Sequence, residues 1–103
     1  MNDRLLSMLG LAVRAGKVTH GVFLTEKGID EGKVKLVVAA EDMGASNRRR
    51  IEAKCSANGV KLIFYSTKEL LSRRAGKENR PVAGVCDEGL AAAIVKIYGG
   101  VSE

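Results

Sequence analysis

The chain has 103 residues with 17 Lys and Arg against 12 Asp and Glu, a formal net charge of +5, and is 46% hydrophobic and 28% charged. That length and mixture fit one domain over residues 1–103 with a single core, and exclude two cores or wholesale disorder. Aromatic residues at 4%, with no Trp, exclude an extended base-stacking platform.

Leu5, Met8, Leu9 and Ala12 recur at helical spacing, widened by Leu6 and Val13, so a helix is expected to start at Asp3 and end at Gly16. A second is expected over residues 22–31, stopping at Gly32. Val22, Thr25 and Ile29 form its inner face, and Gly28 weakens it by about 1 kcal/mol relative to Ala. Residues 34–40 are an apolar run rich in β-branched side chains, the pattern of a strand buried on both faces. Ser46 or Asn47 is placed to cap a third helix running to about Ala57, with Asn58-Gly59 as its stop and a strand from Val60 to Tyr65 after it. Ser66-Thr67-Lys68-Glu69 has the capping-box pattern for a short helix closed by Gly76. Beyond the polar loop 77–80, Pro81 precedes a strand from Val82 to Cys86. Asp87 then caps a last helix, striped by Leu90, Ile94 and Ile97, which ends at Gly99-Gly100. This alternation predicts an α/β fold, a three-layer α/β/α sandwich around a small mixed, largely parallel sheet of about four strands.

No apolar run approaches the roughly 20 residues of a membrane span, and the first residues lack a signal peptide's apolar stretch. Cys55, Cys86 and the single His20 make no zinc-ligand set, so no metal or cofactor is expected and the thiols read as small hydrophobes in a cytoplasmic protein. Gly-x-Ser-x-Gly, Walker and Gly-x-Gly-x-x-Gly motifs are absent. His20 reads as a loop or capping residue more readily than as a general base. Glu41-Asp42 follows a strand end, where α/β enzymes place functional groups, yet capping by those carboxylates is the better reading. An enzyme is not expected.

The charge is uneven: residues 1–40 balance at +2, residues 41–80 at +5 and residues 81–103 at −2. A basic middle suits a polyanionic partner, although many soluble proteins share this net charge without one. Arg48-Arg49-Arg50 near a helix start fans out at about 100° per residue, fit for phosphates along a strand or for plain solvation. Arg73, Arg74, Lys77 and Arg80 surround the loop before the last strand. Arg14-Ala15-Gly16-Lys17-Val18, followed by Gly21 and a helix start, offers free backbone N–H groups to phosphates, with Lys27 further along that helix. On spacing alone the same segment is equally a helix–loop–helix connection.

These residues carry a resemblance. Leu9 to Lys17, then Gly21, Lys27 and Gly32, then Lys35 to Asp42 resemble the ribosomal L7Ae/L30e family of small kink-turn RNA-binding proteins. The likeness continues through Ser46, the basic run 48–50, Gly59-Val60, Glu69-Leu70, Ala75-Gly76-Lys77 and the last helix, and is strongest to the bacterial YlxQ-like branch. It implies the same sandwich and a non-enzymatic RNA-binding protein of the ribosomal or translation-associated class. Its partner would be structured RNA, with the ribosome or a translation-associated protein as further company, no membrane, and a single copy of the chain.

The implied RNA contacts are Arg14, Gly16, Lys17, Gly21, Phe23, Leu24, Lys27, Arg48, Lys77, Arg80, Pro81 and Val82. Gly21 and the following helix start would meet sheared G·A pairs, Lys27 base edges or phosphate, and residues 77–82 a protruding nucleotide. One departure stands out. Where kink-turn binders carry an adjacent Asn-Glu pair, this chain has Phe23 and Leu24, whose side chains form no hydrogen bonds. Base edges left unpaired would cost about 1–3 kcal/mol each. The implied alternatives are RNA binding with relaxed specificity, or a protein-contact patch on the same fold.

Overall fold

Asp3 starts the first helix as its position suggests: its Oδ1 accepts from the Leu6 N–H at 2.9 Å, while its Oδ2 accepts from the Tyr65 hydroxyl at 2.8 Å. The computed structural model describes residues 3–75 and 80–101. Its elements are α1 (Arg4–Arg14), β1 (Val18–His20), α2 (Gly21–Asp30), β2 (Leu36–Ala39), α3 (Ala45–Asn58), β3 (Lys61–Phe64), α4 (Lys68–Ala75), β4 (Val82–Val85) and α5 (Glu88–Val101).

The four strands lie in the order β1-β4-β2-β3. Helices α1, α4 and α5 pack together on one side, and α2 packs with α3 on the other, giving the expected three layers. The sheet is mixed, but the expected excess of parallel pairing is corrected: β2–β3 is parallel, whereas β1–β4 and β2–β4 are antiparallel. The reason is topological. The chain leaves β3 and enters β4 at the same end of the sheet, so β4 must run against both neighbours. Burial follows strand position: β2 and β4, in the middle, are buried throughout, and the edge strands are partly exposed. Leu5, Leu9, Leu36, Val38, Ile51, Val85 and Ile94 are fully buried in the one core.

Several boundaries differ from the expectations. Residues 18–20 form a strand rather than a loop, paired to β4 by backbone bonds that so short an apolar-poor segment does not advertise. Gly44, not Ser46 or Asn47, precedes α3 and gives it no side-chain cap. At α4 the cap is Thr67, whose Oγ1 accepts from the Leu70 N–H at 3.2 Å; Ser66 instead takes a left-handed φ of 66°. Helix α5 continues through Gly99 and Gly100. Asp87 does cap it, accepting from the Leu90 N–H at 2.9 Å.

A close contact between layers is glycine-dependent. A Cβ on Gly84 of β4 would meet Thr19 Oγ1, with Val34 Cγ2 at 3.0 Å and Thr25 Cγ2 at 3.1 Å. One on Gly28 of α2 would meet Val34 Cγ2 at 2.7 Å. Into that space Thr19 and the fully buried Thr25 place hydroxyls 2.9 Å apart, joining β1 to α2. Gly84→Ala is therefore expected to lower unfolding free energy by about 1–3 kcal/mol in urea titrations. Gly44→Ala, whose Cβ meets nothing within 4 Å, should cost less, about 0.5–1 kcal/mol from the N-cap preference for Gly over Ala.

Burial pushes the Cys55 thiol up to about 11 from its ordinary 9.0. The folded state thus keeps a proton that the unfolded chain begins to lose near pH 9. The thiol's contribution is complete below that pH and is lost as pH rises toward 11, by at most about 3 kcal/mol. Alkaline unfolding curves of Cys55→Ala should lack this component.

Candidate nucleic-acid interface

Strand register defines one end of the sheet. His20 pairs with Ala83, Ala39 with Val82 and Ala39 with Phe64, so the start of α2, the start of β4, and the ends of β2 and β3 form one row. The helices following β1, β2 and β3 all begin there. Helices α2 and α3 begin at His20 and Gly44, neither of which caps its helix through a side-chain hydrogen bond.

At this end Gly21 opens α2 with a φ of 86°, a conformation that suits only glycine. The stem of Arg80 lies across it, with Cδ 3.4 Å and Nη1 3.9 Å from where a Cβ would stand. Arg80 is held from below: its N–H donates to Oγ of the buried Ser72 at 2.8 Å. Phe23, 71% exposed, and Leu24, 49% exposed, leave the first turn of α2 into solvent. Lys27 is exposed one turn further along. Arg48, in the first turns of α3, places its guanidinium carbon 4.1 Å from the centre of the Phe64 ring, with Glu52 3.8 Å from its Nε. Three strand spacings, about 14 Å, separate the β1 and β3 edges of this end.

The structure divides the remaining sequence candidates. Arg14, Gly16 and Lys17 stand at the opposite end of the sheet, because β1 intervenes and carries the chain about 13 Å from Lys17 to Gly21. There Cys86 N–H donates to the Lys17 carbonyl at 2.8 Å, and Lys35 N–H to the Val85 carbonyl at 2.7 Å. Burial raises the Cys86 thiol pKa, against the pull of the Lys17, Lys33 and Lys35 charges gathered around it. Val82 is corrected to a core residue, 1% exposed, and the Pro81 carbonyl is occupied by the Ala40 N–H at 2.7 Å. Lys77 lies outside the described residues.

The carboxylates near this end are already engaged. Glu41 Oε1 accepts from the Ser66 N–H at 3.0 Å and Asp42 Oδ1 from the Lys68 N–H at 2.7 Å, the capping work expected of them, directed at the turn before α4. Sequence reasoning missed the clasp of Arg50 on Glu26, at 2.9 Å from Nε and 2.7 Å from Nη2, and of Lys54 on Asp30 at 2.9 Å. These pairs join residues 24 apart, and no local spacing marks them. The Lys17–Lys33–Lys35 group was also missed, although Lys33-Val34-Lys35 alternates exposed, buried, exposed as an edge of charge would. Among the described residues no group of His, Cys, Asp and Glu is placed to hold a metal, and no helix is long and apolar enough to cross a membrane.

Since α3 buries only Ile51 and Cys55, its ion pairs to α2 matter. Arg50→Ala should cost about 0.5–1 kcal/mol, the upper range for exposed pairs because the Glu26 side chain is only 13% exposed. Amide exchange should quicken in α3 before the rest of the molecule.

Comparison with known proteins bears on this geometry. Residues 3–94 match the model of the ribosomal protein L7Ae/L30e/S12e/Gadd45 family. The chain is 34% identical over 90 residues to the RNA-binding protein YlxQ of Bacillus subtilis (strain 168), covering 87% of this chain and 90% of that one. It is 32% identical over 92 residues to the large ribosomal subunit protein eL8 of Cenarchaeum symbiosum (strain A), covering 88% of this chain and 73% of that one. A solved structure of a protein of unknown function from Bacillus halodurans C superposes with a TM-score of 0.90 at 28% identity, covering 95% of this chain and 99% of that one.

Proposed function

Because the chain belongs to the ribosomal protein L7Ae/L30e/S12e/Gadd45 family, we propose that it is a non-enzymatic, translation-associated RNA-binding protein that docks a kink-turn or related bent RNA on the sheet end bearing Gly21 and Arg80. The observation that carries this reading is the pairing of a side-chain-free helix start with an arginine held across it. Gly21, with no Cβ, lets the Arg80 stem lie against the start of α2, so that a phosphate at this tip would meet the guanidinium and the positive end of the helix together. Arg80, its backbone N–H held by Ser72, supplies a guanidinium there. Lys27 and Arg48 extend the positive surface along α2 and toward the β3 edge. The names of the YlxQ and eL8 relatives support RNA and the ribosome as the partners.

Arg14 and Lys17, at the other end of β1, take no part in this docking. The exposed apolar pair Phe23 and Leu24 favours a second reading, a protein contact at the same tip.

Titration of a kink-turn RNA and a straight duplex of equal length at several salt concentrations separates the two. Three cation contacts predict preference for the kinked RNA and a log–log salt slope of about −2 to −3. Lys27→Ala with Arg80→Ala should flatten that slope by about 1.5–2 without unfolding the domain, and Arg14→Ala with Lys17→Ala should leave affinity unchanged. Equal binding of both RNAs would reduce the function to non-specific charge. Absence of RNA binding, with salt-insensitive capture of a protein lost in Phe23→Glu, would establish the second reading.

A further inference from the structure

Four aromatic residues occur in the chain, and three are engaged. Phe64 lies under the Arg48 guanidinium, Tyr65 donates to Asp3, and Tyr98 meets the Tyr65 ring edge-on at 6.4 Å between centroids. Phe23 is 71% exposed. Resting on the RNA reading above, we propose that Phe23 is a specificity-determining residue of the tip, its ring stacking on the face of one unstacked nucleobase of the bent strand.

The surroundings match a nucleotide. A base offers a flat apolar face tied to a phosphate, and here a flat apolar ring stands on the same helix start as the Arg80 guanidinium, with Lys27 one turn below. The neighbouring carboxylate, Glu26, is bound by Arg50 and turned to α3. A protein partner fits less well. A stable interface covers about 800 Å² on each side around a core depleted of charge, whereas this patch is two side chains beside cations. Helix geometry places Phe23 and Lys27 opposite the stripe of Val22, Thr25 and Ile29, so the ring is directed outward by the same periodicity that buries the other face.

Stacking accepts any base, since every base has a π face. The tip then reads that a base has left the helix, and reads its identity weakly. The hydrogen-bonding readout that Phe23 and Leu24 cannot perform is replaced by recognition of shape.

The test is a double-mutant cycle between wild type or Phe23→Ala and a kink-turn RNA in which each unpaired bulge nucleotide is in turn intact or abasic. Phe23→Ala should weaken binding about 5- to 150-fold, and one abasic position should weaken wild type similarly. Combining the two should add little, and Phe23→Trp should bind the intact RNA at least as well as wild type. Because the ring is exposed, circular dichroism and melting of the variants should be unchanged. Should Phe23→Ala bind as wild type, or should the losses multiply at every abasic position, the stacking role is overturned while kinked-RNA binding by wild type stands. Failure of wild type to bind kinked RNA would overturn the underlying reading and this one together.

Discussion

Gly84 in β4 and Gly28 in α2 leave the space that Thr19, Thr25 and Val34 fill, and this contact sets how closely α2 lies on the sheet. Everything proposed for the tip depends on it. A helix one methyl group further out would carry Gly21 away from Arg80, which reaches the tip from just before β4 and is itself fixed to α4. The hydroxyl pair adds direction to the close approach: Thr25, fully buried, must meet Thr19 to satisfy its polar atom, so α2 has one rotation about its axis. That rotation turns Phe23, Leu24 and Lys27 outward. Gly28 also acquires a purpose. Its helix-weakening effect of about 1 kcal/mol is accepted because any side chain there would strike Val34.

The cations divide by what already holds them. Arg50 and Lys54 join α2 to α3, and Arg73 pairs with Glu69 along α4. Their charge is largely spent within the molecule. Arg80 and Lys27 show no carboxylate partner among the described ion pairs, and Arg48 rests on an aromatic face with a looser contact to Glu52. A net charge of +5 says little about where a polyanion would lie; the distribution of engaged and open cations says more. It also separates two ends of the sheet, since Lys17, Lys33 and Lys35 gather around Cys86, remote from the tip.

Much of the fold was legible. Apolar periodicity located α1, α2 and α5, cap and stop residues located α3 and α4, and the β-branched runs located three strands. The missed strand, β1, is a three-residue edge whose stability comes from β4, and propensity is silent about a partner 65 residues away. Strand direction was equally out of reach, since it depends on which end of the sheet the chain enters. Of the residues the sequence suggested, Gly21, Phe23, Leu24, Lys27 and Arg80 stand together at the tip, each exposed or at a glycine with a left-handed φ. Arg14, Gly16 and Lys17 stand apart from them, since residues a few positions apart lie at opposite ends of an extended strand. Val82 was drawn in by its neighbours, though a β-branched residue opening a central strand belongs in the core.

The tip also separates stability from binding. Thr25 and Ile29 are buried and Val22 packs against the core, so the inner face of α2 is complete without Phe23 or Leu24. Two apolar side chains held in water gain nothing for the fold, while their backbone positions are fixed by the contact below them. Substitution there is therefore free of the packing constraint that governs Gly28, Thr25 and Gly84. A scaffold of this kind can exchange hydrogen-bonding side chains for an aromatic ring at this tip without altering its core or the positions of Gly21 and Arg80.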